Sequence, residues 1–248
     1  MDDPRDERLD TAFDAGMGAM AEKGFPEGEP PAQPWHKNIR PISWPEMPGR
    51  YAPPRRFVAK GSIPYGCVTS FYGQGGIGKS MAAQLLATAV VSRRYWLGIE
   101  TERCKVLALF CEDDRNELWR RQEQINATLG VRMADIGDFL PDARTGQENV
   151  LAHGRDVLQT TGLYEQIAAA VAELKPGLVI LDNIAQMFAG SENDRAHVTQ
   201  FVNYLARFAR DGDCAVVLLG HVAKAEGSEC SGSTAWDAAV RSRRLLAY

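Results

Sequence analysis

Residues 66–80 read Gly-Cys-Val-Thr-Ser-Phe-Tyr72-Gly73-Gln-Gly-Gly-Ile-Gly78-Lys79-Ser80, an apolar run that breaks into glycines and closes on lysine and serine. Residues 66–72 (GCVTSFY), β-branched and aromatic between glycines, predict a buried strand. Residues 79–93 (KSMAAQLLATAVVSR) carry Ala and Leu at helical spacing and predict a helix. Between them Gly73, Gln74, Gly75, Gly76, Ile77, Gly78, Lys79 and Ser80 satisfy the pattern GxxxxGK(S/T). The glycines let backbone amides turn inward around phosphate oxygens, at a helix N-terminus that favours negative charge. Lys79 has the reach for β- and γ-phosphates, and the Ser80 hydroxyl is a magnesium ligand. The pattern alone occurs by chance, but the strand before it and the helix after it are the context the mechanism requires. With Met81 behind it, this loop is the candidate site for ATP and Mg2+.

Outward from the loop the pattern alternates. Residues 105–111 (KVLALFC), 177–181 (GLVIL) and 214–219 (CAVVLL) predict further buried strands, and residues 244–248 (RLLAY) a last one. Residues 115–129, 163–174 and 196–210 predict helices, with Arg120 and Arg121 on the polar face of the first and Pro176 stopping the second. Residues 131–160, rich in Gly, Asp and Arg, predict irregular structure. Strands alternating with helices imply an α/β fold with a mainly parallel, twisted sheet covered on both faces.

In such sheets ligands bind outside the carboxyl ends of the strands, so polar residues at those ends are candidate partners of the loop. Asp182 ends GLVILD, a Walker B pattern whose carboxylate suits the magnesium shell. Glu112 follows VLALFC, with Asp113 and Asp114 behind it, and is the candidate general base for an attacking water. Its bland alternative is a solvated acidic turn capping the helix at 115–129. His221 closes CAVVLLGH, either as a sensor of the γ-phosphate or as a hydrogen-bonded turn histidine. Residues 224–231 form a polar, glycine-containing loop. Beyond it Arg241, Arg243 and Arg244 cluster. They are solvated arginines of a strand edge, or include one that stabilises charge on a transferring phosphoryl group from a neighbouring subunit.

Ten of the 13 prolines precede residue 55. Proline lacks an amide donor, so residues 1–56 predict a Pro-rich, largely extended or disordered arm, and residues 57–248 the ATPase domain. Trp35 and Trp44 are unusual in a purely solvating arm. They anchor it on its own domain or on a neighbouring subunit, and the residues leave both readings open. No apolar run approaches the ~18 residues of a membrane span, and the start MDDPRDERLD lacks a secretory signal, so no membrane partner is expected. The five cysteines show no CxxC spacing and predict reduced thiols in a cytoplasmic protein. A net charge of -4 neither advertises nor excludes a nucleic acid, because DNA contacts can be confined to a few loops.

Five stretches in order carry a resemblance: IPYGCVTSFYGQGGIGKS, ALFCEDD, LVILDN followed by GSENDR, VLLGHVAK, and SGSTAWDAAVRSR. Over about residues 57–248 they resemble RecA-like AAA ATPases of the RepA plasmid replicative helicase family and its phage and plasmid relatives. The resemblance implies a RecA-like P-loop NTPase fold, a homo-oligomer in the form of a hexameric ring, ATP hydrolysis, and single-stranded DNA and replication proteins as partners. By position it implies that Gly78, Lys79 and Ser80 bind phosphate and magnesium, and that Glu112 is the catalytic carboxylate. Likewise Asp182 is the Walker B acid, His221 the sensor, and Arg241 a finger into the next subunit's site. Many relatives carry two histidines before VAK, whereas here Gly220 precedes His221. The family continues past its last motif with further strands, so a chain stopping at RLLAY reads as a piece of a longer protein. A nucleotide-switched recruitment or regulatory ATPase without helicase activity is the alternative reading.

Overall fold

A strand that alternates its side chains between two helix-covered faces must be apolar at every position, and the long apolar runs meet that demand. The computed structural model describes residues 42, 44, 47, 49, 51–221 and 235–247. The chain divides into two units, Met1–Ala52 and Pro53–Tyr248. In the first, the Met47 amide donates to the Trp44 carbonyl at 3.0 Å, and Trp44 is exposed. Trp35 and most of the proline-rich arm lie outside the described residues.

The second unit opens with a hairpin of β1 (Phe57–Ala59) and β2 (Ile63–Pro64). Strand β3 (Val68–Gly73) then runs through the glycine loop into α1 (Lys79–Val91). There follow β4 (Val106–Phe110), α2 (Arg115–Leu129), β5 (Phe139–Ala143), β6 (Ala152–His153), β7 (Gln159–Thr160) and α3 (Gly162–Leu174). The unit ends with β8 (Leu178–Asp182), α4 (Ile184–Met187), β9 (Phe188–Ala189), α5 (Arg195–Asp211), β10 (Ala215–His221), α6 (Ala235–Ala239) and β11 (Ser242–Leu246). Six strands form one sheet in the order β11-β3-β10-β8-β4-β5, with every neighbouring pair parallel. Strands β7, β6 and β9 make a separate small sheet.

Strand alternation sorts the core into two layers. Leu178, Ile180, Val217, Leu219, Ala108 and Phe110 face one side, where Ala83, Leu86 and Val90 of α1 and Leu118 of α2 cover them. Val179, Leu181, Val216, Leu218 and Leu109 face the other, under α3 and α5 through Ile167, Val171, Phe201 and Leu205. Trp236 of α6 completes this second layer, with its ring edge-on to Phe188 and Phe201 at 5.3 and 6.1 Å. The α/β architecture expected from the pattern is the one observed.

Residues 131–160, expected to be irregular, instead contribute β5 to the main sheet and β6 and β7 to the small one. Among the described residues strand β5 pairs only with β4, as the edge, and carries Pro141 and Asp142. An edge strand tolerates a proline and needs little apolar surface, so it lacks the apolar run that marked the central strands. Ladders of two residues, as in β6 and β7, are too short to show any period.

The departure at Gly220 has a steric cause. Gly220 stands directly opposite Tyr72 in the β10–β3 register. A Cβ at 220 would lie 2.5 Å from the Tyr72 ring and 2.8 Å from Ile184. The tyrosine ring occupies the volume a side chain would need. Gly220→Ala should therefore lower the unfolding free energy in urea by about 1–3 kcal/mol. Unchanged stability would show that the ring moves aside freely.

Candidate nucleotide-binding site

The loop after β3 is built from backbone requirements. A Cβ on Gly73 would come within 2.9 Å of both the Ile77 side chain and the Leu246 carbonyl of β11. Gly76 and Gly78 take φ values of 77° and 94°, in the left-handed region that glycine enters without strain. Helices α2, α3 and α5 begin with side-chain caps from Asp114, Thr161 and Asp194. Helix α1 begins at Gly78 with none, so its first-turn amides stay available to an anion.

Lys79 is 6% exposed, and its ammonium donates to the Gly73 and Gln74 carbonyls, both at 2.9 Å. Burial lowers its pKa, while Asp182 and Glu112 act the other way. Asp182, the last residue of β8, is 3% exposed. Burial pushes its carboxyl up to about 6; a hydrogen bond with Ser80 opposes the rise, and the charges of Asp113 and Glu112 add to it. Ser80 and Asp182 thus already meet across the end of the sheet.

Glu112 arrives from β4. Phe110 is in register with Asp182, and the Cys111 amide donates to the Asp182 carbonyl at 2.7 Å, so Glu112 leaves its strand just beyond Asp182. Capping of α2 falls to Asp114, whose carboxylate accepts from the Glu117 amide at 2.8 Å. Glu112 is therefore not the cap, and it lines the cleft.

That cleft, of about 210 Å³, is bounded by Gly76, Gly78, Lys79, Ser80 and Met81 from the loop and by Glu112 and Asp182 from the strand ends. Arg121 and Asn183 join them, and the sequence analysis assigned neither to the nucleotide site. Arg121 lies on the polar face of α2, as the pattern implied. That face borders the cleft here, and periodicity alone cannot tell a polar surface beside a site from one that meets only water. A wider groove of about 650 Å³ lies against α1, α2 and β5, lined by Leu118, Trp119 and Phe139, without the glycine loop or the strand-end acids.

Among the described residues no group of three or more His, Cys, Asp and Glu side chains could hold a metal ion. The Ser80 hydroxyl and Asp182 carboxylate form a small hard-oxygen set. It fits magnesium, which keeps several waters and leans on substrate phosphates. Uncapped helix amides, a buried lysine and this oxygen pair together fit a magnesium–triphosphate.

The remaining two candidates, His221 and Arg241, are located by their strands. The His221 backbone pairs with Gly73, beside the start of the loop, but its side chain lies outside the described residues. Arg241 is exposed just before β11; Ser242 pairs with Thr69 and Leu246 with Gly73, so Arg241 sits at the far end of that strand from its own loop. Arg244 donates to the Gly61 carbonyl at 2.7 Å, tying β11 to the β1–β2 turn.

A family profile described as an AAA domain matches residues 46–227. The chain belongs to that AAA family. No curated protein matches it. The matched stretch takes in the glycine loop, Glu112 and Asp182, and stops before α6 and β11. This AAA domain is thus an α/β P-loop ATPase, and among its described residues no helix is long and apolar enough to cross a membrane.

The Asp182 environment yields a signed prediction. Its carboxyl rises from an ordinary 3.8 to about 6 in the fold. Between those values the folded, nucleotide-free protein holds a proton that the unfolded chain has lost. The contribution of this group to stability is therefore present at low pH and declines as pH rises through that window. Asp182→Asn should raise the stability of the nucleotide-free protein at pH 7 by up to roughly 3 kcal/mol, with the gain vanishing below about pH 4. Magnesium-dependent nucleotide binding should be lost in the same variant. Thermal unfolding at both pH values checks this, and a lower Tm than the parent at pH 7 would contradict it.

Proposed function

We propose that this chain is the ATP-hydrolysing core of a ring-forming motor on single-stranded DNA, resembling the RepA helicases of plasmid and phage replication, and that it works in the cytoplasm. The carrying observation is an asymmetry. The loop, Glu112 and Asp182 converge in one cleft, whereas the exposed Arg241 lies at the far end of β11 and cannot serve that cleft. A second copy supplying Arg241 would complete each site, which supports assembly into a closed homo-oligomer.

In this reading the α1 amides and Lys79 bind the triphosphate oxygens, and Ser80 and Asp182 hold magnesium. Bound magnesium supplies charge neutralisation at the phosphates. Glu112 orients a water and takes its proton as the water oxygen bonds to the γ-phosphorus. The bond from that phosphorus to the β–γ bridging oxygen breaks, leaving ADP and phosphate. Arg241 from the neighbour meets the charge on the transferring group. His221 senses the γ-phosphate from β10, between the loop and Asp182. Residues 183–194 and 224–231 carry the change toward DNA, the first group through α4 and β9. The exposed Trp44 favours one competitor, a nucleotide-switched recruiter that binds replication proteins through its arm.

ATP hydrolysis measured against protein concentration, with and without single-stranded DNA, separates the two. The motor reading expects turnover per chain to rise with both, and indifference to DNA would move the assignment to the recruiter. Arg241→Ala and Lys79→Ala should each be inactive alone. Mixing them should restore part of the activity at interfaces that pair an intact loop with an intact arginine. No recovery on mixing would mean that Arg241 does not act between subunits.

A further inference from the structure

Arg121 lies one helical turn beyond Glu117 and two beyond Asp113, on the side of α2 that meets the end of the sheet. Its guanidinium donates to both Asp113 oxygens, at 2.6 and 2.7 Å, and its Nε approaches Glu117 at 3.2 Å. The Arg121 and Asp113 side chains are only 20% and 12% exposed, whereas neighbouring Arg120 pairs with Glu117 from solvent at 65% exposure. Such a fork-to-fork pair fixes orientation as well as distance, which a lysine cannot do.

Helix α2 is itself locked to α1. The Gln84 amide donates to the Leu118 carbonyl at 2.8 Å and to Gln122 at 2.9 Å, and Gln122 donates to Thr88 at 2.9 Å, all buried. Buried side-chain hydrogen bonds thus tie the helix that starts at the phosphate loop to the helix that carries Arg121. Glu112 sits between two anchored neighbours: the Cys111 amide is held by the Asp182 carbonyl, and the Asp113 carboxylate is held by Arg121.

We infer that Arg121 is a positioning residue: by clamping Asp113 it holds the β4–α2 turn and so aims Glu112 at the phosphate cleft. This rests on the reading of Glu112 as general base. A part-buried ion pair is a poor source of net stability, because desolvating both charges offsets much of their attraction. Its value here is the geometry it imposes on the residue next to Asp113.

The test uses the full chain with Arg121→Lys, which keeps the charge beside Glu117, with Glu112→Gln, and with the double variant. Arg121→Lys should lower kcat for ATP by about 10–100-fold with KM within about threefold, since misplacing a reacting group by about 1 Å costs on this order. The double variant should be no slower than Glu112→Gln, because both changes act through one carboxylate. Amide hydrogen exchange at residues 112–114 of the nucleotide-free protein should speed up in Arg121→Lys and stay at the parent rate in Glu112→Gln. Full turnover by Arg121→Lys, unchanged exchange, or losses that multiply in the double variant would each overturn the positioning role. Slow turnover by Glu112→Gln together with multiplying losses removes this inference alone. Normal turnover by Glu112→Gln removes the general-base reading, and the positioning role falls with it.

Discussion

All six strands of the main sheet run parallel, so their carboxyl ends open on one edge, and the candidate site depends on that alignment. Neighbouring strands β4 and β8 deliver Glu112 and Asp182 side by side. The loop strand β3 is not a hydrogen-bonded neighbour of β8, because β10 lies between them. The first turn of α1 must therefore reach across the end of β10 to bring Ser80 to Asp182, and His221 closes β10 inside that span.

Holding charge at such an edge has an electrostatic cost that the structure meets with local partners. Lys79 rests on loop carbonyls, Asp182 takes a hydrogen bond from Ser80, and Asp113 is neutralised by Arg121. Glu112 is exposed at its strand end, and its charge acts on Lys79. The buried Gln84–Gln122–Thr88 network joins the two helices that carry these groups, so relative motion of loop and acidic turn would break several hydrogen bonds at once. Rigidity at this edge is what preorganisation of a phosphate site demands.

Much of this is legible in the sequence. The central strands declared themselves because both of their faces are covered, which forces apolar side chains at every position. Helix α2 was legible at residues 115–129 from its amphipathic pattern, and the structure caps it with Asp114 and Gly130. Strand β5 was missed because an edge strand with Pro141 buries little. The place of Arg121 at the cleft was not legible, because a helix face turned to a polar cleft has the same composition as one turned to water.

The sequence by itself determined the local chemistry: the glycine loop that admits left-handed backbone, the lysine and serine that follow it, and the acids that end two apolar runs. These follow from short-range sterics and from alternation, which a linear pattern records. Tertiary structure decided strand order, the burial that raises the Asp182 carboxyl, the Tyr72 ring that excludes a side chain at Gly220, and the separation of Arg241 from its own cleft. Each depends on contacts between segments distant along the chain. A linear pattern carries no term for the distance between them.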